Sequence, residues 1–213
     1  MTERRLTAAF VPFIVALALS LAACGGTGRT FADMAWRVRC LEQPGCDITT
    51  PIPDRRVRSF NGDDGNTVIC DVSESDGARL LNFTLSDGSG VLEVFGAQIQ
   101  GDCSAESCGV TAGGACRVEV IEGPNRFVGD ACTPGAPTES QPCSIRDVRF
   151  CIDSGGFTAV FGEMRCENME EDSSPAIMRE LTGPGDGAAD RGSYLDIDLR
   201  SCGGLSRANL EDC

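Results

Sequence analysis

The sequence predicts an all-β, disulfide-rich sandwich or barrel-like domain with at most one short helix. Three observations carry that expectation. Apolar residues recur at every second position in run after run, the period of a half-buried strand. Gly- and Asp-rich turns separate those runs. Thirteen Cys stand in a chain of 213 residues, a density that suits disulfide cross-linking in an oxidising compartment.

Taken in chain order, Trp36, Val38 and Cys40 alternate with Arg37 and Arg39 and give a first strand. Thr67 to Val72 gives another, with Val68, Cys70 and Val72 on one face. Leu81, Phe83 and Leu85 alternate with Asn82 and Thr84; Asp87-Gly88-Ser89-Gly90 then turns the chain. Val91 to Ile99 returns as a strand, with Gly96 as the mark of a bulge. Val118 and Val120 alternate with Arg117 and Glu119. Val148, Phe150 and Ile152 lead to a turn at residues 153–156, and Phe157 to Met164 follows. Leu195, Ile197 and Leu199 close the set, alternating with Tyr194, Asp196, Asp198 and Arg200. Ser174 and Pro175 offer an N-cap and first helical position, and Gly183-Pro184 a stop. A short helix is therefore expected over 175–182, with a strand through Ile177, Arg179 and Leu181 as the alternative. Residues 132–143 hold three Pro and a Gly between two Cys and read as a tied-down surface loop. The charge run Glu167, Glu170, Glu171 and Asp172 reads as a solvated loop. Phe83 to Gly96 and Phe150 to Gly162 align as two strand–turn–strand units ending in Val-Phe-Gly. Duplication and the common features of hairpins explain that likeness equally well.

The composition removes several chemistries. The chain has no His, and scanning it finds no Lys, so all 18 basic residues are Arg. Ser-His-Asp and Cys-His machinery, imidazole metal sites, Schiff-base lysines and P-loops are therefore excluded. The 32 Asp and Glu set the formal charge at −14, which disfavours nucleic-acid backbones as partners.

The first 23 residues have the layout of a secretory leader: Arg4 and Arg5, an apolar stretch from Leu6 to Leu21, then Ala22 and Ala23. Leu21-Ala22-Ala23-Cys24, followed by Gly25, resembles the lipobox of bacterial lipoproteins. The resemblance covers about 25 residues. It implies cleavage before Cys24, a lipid on the Cys24 sulfur, and attachment to a membrane. Gly25 in place of the Asp that often signals inner-membrane retention in that family points to the outer membrane. The expected organisation is a leader at 1–23, a lipidated Cys and short tether at 24–34, and one disulfide-stabilised β domain at 35–213. Removing the leader takes away Glu3, Arg4 and Arg5 and leaves 31 acids and 16 Arg.

With Cys24 set aside for lipid, twelve Cys remain, an even number: Cys40, Cys46, Cys70, Cys103, Cys108, Cys116, Cys132, Cys143, Cys151, Cys166, Cys202 and Cys213. All are expected in disulfides. Close spacing suggests Cys40 with Cys46, Cys103 with Cys108, and Cys202 with Cys213.

Asn61-Gly62-Asp63-Asp64-Gly65-Asn66 gathers oxygen ligands around two Gly, making Asp63 and Asp64 candidates for Ca²⁺. The EF-hand spacing is absent, and turn composition explains the segment without an ion. Asp196 and Asp198 share a strand face with Tyr194 and Arg200, which suits either a ligand or plain solvent. No cofactor is expected. The functional expectation is an exported, lipid-anchored protein of the bacterial cell envelope with a non-catalytic structural or binding role. The alternatives are a carbohydrate-binding module and a small carboxylate-dependent hydrolase of the envelope, with Ca²⁺ as a possible aid.

Overall fold

The structure is a computed structural model that describes residues 29–40, 54–75, 77–101, 103, 106–112, 114–172, 174–184 and 193–213. The strands are β1 (Phe31–Cys40), β2 (Arg55–Phe60), β3 (Thr67–Ser75), β4 (Ala78–Ser86), β5 (Gly90–Gln100) and β6 (Gly114–Glu122). They continue as β7 (Asn125–Thr133), β8 (Cys143–Ile152), β9 (Thr158–Glu171), β10 (Ser174–Thr182) and β11 (Leu195–Arg200). The only helical elements among the described residues are two 3₁₀ turns, Asp63–Gly65 and Arg207–Asn209. No helix of the described residues is long and apolar enough to cross a membrane.

All eleven strands belong to one sheet, with the order β10-β1-β11-β9-β8-β7-β6-β5-β4-β3 and β2 on β1. β10 and β11 both pair antiparallel with β1 and with β9. On β9, β10 takes residues 166–171 and β11 takes 159–164, so the two lie end to end in one row. Every strand sends apolar side chains into a single buried cluster, from Ala32 and Trp36 on β1 to Leu199 on β11. A flat sheet cannot gather residues from eleven strands into one core, so the sheet curls over it.

Alternation explains most of this. Val68, Cys70 and Val72 on β3, Leu81, Phe83 and Leu85 on β4, and Leu92, Val94, Ala97 and Ile99 on β5 are all buried. Between Val94 and Ala97 the inward side changes parity because a bulge falls at Gly96. Gly96 has φ +65°, and its N–H donates to Asn82 Oδ1 at 2.7 Å. The bulge places two residues of β5 against Asn82 and bends the hairpin around the core. A second bulge on β8 sets Asp147 and Val148 against Gly162, so both Val-Phe-Gly segments lie at bulges, on opposite sides of their hairpins. Both units belong to the same sheet.

Three sequence expectations are corrected. Residues 175–182 are not a helix but part of β10, whose backbone is paired with β1 on one side and β9 on the other. Arg179, Glu180, Leu181 and Thr182 are all buried there, and that tertiary pairing overrides the cap signal of Ser174-Pro175. Pro175 sits where the β10–β9 register shifts, a position that tolerates its missing N–H. The acidic run 167–172 is no solvated loop either, since β9 continues to Glu171. Met169 is buried, and Glu171 is buried with Arg179 at 3.3 Å. The domain also begins earlier than residue 35: Phe31 to Trp36 pair with β2, so the last four residues of the expected tether are strand.

Candidate functional site

Five disulfides lie among the described residues: Cys70–Cys202, Cys103–Cys108, Cys116–Cys132, Cys143–Cys166 and Cys151–Cys213. The Cys103–Cys108 expectation holds, whereas Cys202 and Cys213 do not bond to each other. They stand near the two ends of a C-terminal strap, residues 201–213, and are bonded to different strands, Cys202 to Cys70 on β3 and Cys213 to Cys151 on β8. Cys24 and Cys46 lie outside the described residues, as does the side chain of Cys40. Cys132 and Cys143 do not close the Pro-rich loop onto itself. They are neighbours in the short parallel β7–β8 contact, and each is bonded to a different strand.

The strap is the element from which a site emerges. Its start lies along β3: Gly203 N–H donates to Cys70 O and Val72 N–H to Gly203 O, both at 2.9 Å. Its end lies along β8: Ile152 N–H donates to Glu211 O at 2.8 Å and Cys213 N–H to Ile152 O at 2.9 Å. Close approach at the β3 end depends on Gly204, which has φ +78°. A Cβ there would lie 1.9 Å from Val72 O. Leu205 and Leu210 pack against the core from the strap.

Between the strap and the β3–β4 hairpin lies a recess of about 380 Å³. Val72, Leu205 and Leu210 supply apolar walls; Asp71, Ser73, Glu74, Arg79, Ser206 and Asn209 supply polar groups. Arg79 occupies the β4 position two before Leu81, on the core-facing side. Its guanidinium stands over the Phe150 ring, 4.8 Å from the centroid. Arg79 Nη1 is buried and has no hydrogen-bond partner among the described residues. Glu74 is the register partner of Arg79 across β3 and β4. Yet no ion pair joins them, and Glu74 is exposed at the rim. Arg55 shows the contrast. It donates from Nη2 to Glu122 Oε2 at 2.6 Å and reaches Asp87 Oδ2 at 3.4 Å, tying β2 to the ends of β4 and β6.

A second feature is the outer face of β1 and β2. Phe31 and Phe60 are cross-strand partners with ring centroids 5.1 Å apart. Arg29 stands over Phe60 and Arg200 over Phe31. Along the same two strands Arg56 and Arg58 pair with Asp33, and Arg37 with Asp54. Arg29, Arg37, Arg39, Arg56 and Arg58 thus outnumber the three acids that pair with them, Asp33, Asp54 and Asp63, in a chain that is strongly acidic overall.

The sequence-derived Ca²⁺ candidates do not converge. Asp63 pairs with Arg29, and Asp64 is exposed in the 3₁₀ turn at φ +52°. Among the described residues no three His, Cys, Asp or Glu side chains come together as a metal site. The face of Tyr194, Asp196, Asp198 and Arg200 is partly self-paired. Arg200 Nε donates to Asp198 at 3.1 Å, and Arg146 lies 3.7 Å from the Tyr194 ring centroid. Arg79 was missed from sequence, although it stands in line with Leu81, Phe83 and Leu85; the strap was missed as well, because its path is set by disulfide partners remote in sequence. Comparison with family models, with curated proteins and with solved structures finds no match.

Proposed function

We propose that this chain is an exported, lipid-anchored protein of the bacterial cell envelope, held at the outer membrane, with a non-catalytic binding role. The observation that carries the reading is the position of the basic, aromatic face relative to Cys24. Only six residues, Gly25 to Thr30, lie between Cys24 and Phe31, the first residue of β1, and the seven Cα–Cα steps reach at most ~25 Å. A lipid on Cys24 therefore keeps the β1–β2 face close to the headgroups. Exposed Arg near an anionic surface each contribute on the order of 1 kcal/mol, while the acidic remainder is repelled. The two effects together orient the domain.

Binding is favoured over hydrolysis by the recess itself. Asp71 and Glu74 line it, but both are exposed. A carboxyl that acts as general acid near neutral pH needs burial to stay protonated. The Phe31–Phe60 pair, half exposed on a sheet face, supports sugar recognition as a second reading. Metabolic labelling with a fatty-acid analogue tests the first. Label is expected on the wild-type protein and not on Cys24→Ser, which should accumulate as unprocessed precursor. Label retained on Cys24→Ser would overturn the anchor.

A further inference from the structure

We propose that the recess under the C-terminal strap binds a small zwitterion, a free amino acid with an apolar side chain. Its carboxylate would meet Arg79 and its ammonium Glu74. The inference rests on the binding role given above and names the ligand class.

The argument begins with Arg79. A guanidinium carries five N–H donors in a planar fork and stays charged at any physiological pH. Taking such a group from water without an acceptor is costly. Its Nη1 is sealed from solvent without a partner, and no carboxylate of the described residues pairs with it. The side chain as a whole is only half-buried, so the donors still open to the recess mark a place where an acceptor is wanted. The Phe150 ring, 4.8 Å from the guanidinium carbon, gives it a cation–π contact but no acceptor, and a carboxylate is the partner that a guanidinium fork takes bidentately. Arg29, Arg55, Arg126 and Arg200 in the same protein all have carboxylates of their own.

The second observation is the separation of Glu74 from Arg79. Directly opposed residues on neighbouring antiparallel strands lie within reach of each other. Here the opposed pair is opposite in charge and still stands apart, with the recess lined by both side chains. A simple anion would satisfy Arg79 but would meet Glu74 as a like charge. A simple cation would satisfy the carboxylate but leave Arg79 unpartnered. A molecule with both charges satisfies both sides. Val72, Leu205 and Leu210 then receive its apolar body. The volume, about 380 Å³, lies at the small end of the roughly 300–1,000 Å³ range of ligand pockets. Disulfides at both ends of the strap, Cys70–Cys202 and Cys151–Cys213, hold the roof in place before any ligand arrives, which lowers the ordering cost of binding.

The test uses the oxidised mature chain with Cys24→Ser, so its outcome does not depend on whether the lipid anchor exists. Leucine, 4-methylpentanoate (leucine without its amino group) and isoamylamine (leucine without its carboxylate) are titrated by calorimetry. Leucine is expected to bind, and each half-molecule to bind at least about tenfold more weakly, the low end for losing a charged hydrogen bond. Arg79→Gln should weaken leucine by a similar factor and leave isoamylamine unchanged. Glu74→Gln should weaken leucine and, by removing a like charge, should strengthen 4-methylpentanoate or leave it unchanged rather than weaken it. Glu74 is exposed, so that second variant keeps the test open if Arg79→Gln fails to fold. Absence of leucine binding, equal binding of leucine and 4-methylpentanoate, or leucine affinity unchanged in both variants would overturn the proposal. None of those results bears on the labelling of Cys24.

Discussion

Gly204 and Glu122 show how single residues hold the ends of this sheet together. At Gly204 the strap passes so near β3 that a methyl group would occupy the space of Val72 O. The positive φ adds strain for any other residue. Gly204→Ala should therefore cost more than the ~1–3 kcal/mol typical of overpacking or lift the strap from β3. Chemical denaturation gives the first, and faster proteolysis within 203–211 reveals the second. Glu122 acts through charge. Its side chain is 4% exposed and takes the guanidinium of Arg55, which is itself 15% exposed. Glu122→Ala leaves that cation with only Asp87, and a loss of about 3 kcal/mol is expected, the low end for breaking a buried pair. A loss under about 1 kcal/mol, the range of a surface pair, would show that the contact is solvent-like.

Between strands, paired carboxylates set the response to acid. Glu119 on β6 accepts hydrogen bonds from Arg126 on β7, including one from Nη2 to Oε2 at 2.7 Å. Those bonds hold its carboxyl below the ordinary glutamate value of 4.5, against an opposing push from burial. For Asp87 burial pushes the carboxyl up, but the N–H groups of Gly90 and Ser89 and the charge of Arg55 outweigh it and lower it overall. A group lowered in the folded state stabilises fully above its unfolded value and loses that contribution as pH falls through the folded one. Stability should thus be flat near neutrality and decline below about pH 4.5. Glu119→Gln should reduce stability at pH 7 and flatten the acid limb, as urea midpoints between pH 3 and 7 would show. An acid limb as steep as that of the wild type would exclude Glu119 as a contributor. The same elements show what the sequence makes legible. β3, β4, β5 and β11 bury one face and expose the other, so alternation finds them. β10 buries adjacent residues, Arg179 through Thr182, and the period vanishes. β2 carries Arg at three of six positions and shows only Val57 and Ser59 to the core. In the site, Arg79 breaks an apolar row and is visible on that account, whereas the partner it lacks can be seen only once β3 and the strap are in place.

For the molecule as a whole, cross-links and charge decide how firmly it is closed. Cys151–Cys213 spans 62 residues, and its removal in Cys151→Ala/Cys213→Ala should cost ~2–4 kcal/mol. The strap end should then be cut first by protease while the β3–β7 region stays protected. Simultaneous digestion of both would mean that the strap is not a separable unit. The acidic excess predicts that salt raises the melting temperature by screening self-repulsion. Because Asp63 is engaged by Arg29, melts in Ca²⁺ and Mg²⁺ at matched ionic strength should coincide. A Ca²⁺-specific rise abolished by Asp63→Asn/Asp64→Asn would place an ion in that turn.

The placement of β1 carries a consequence for how the chain is born. Its neighbours are β2, close behind it in sequence, and β10 and β11, which lie almost at the other end. From β4 to β7 each strand finds its partner in the segment just before it, so the stretch from β3 to β7 can assemble as it emerges. The first hairpin can pair β1 with β2, but the partners on the other side of β1 come late. It must wait, with Met34, Trp36 and Val38 uncovered, until more than a hundred further residues have appeared. Closure of long loops is slow and leaves apolar strands open to wrong partners. The two parts of this molecule therefore run on different clocks, and the final ten or so residues, which bring Cys202 and Cys213 to partners made long before, set the moment at which both stop.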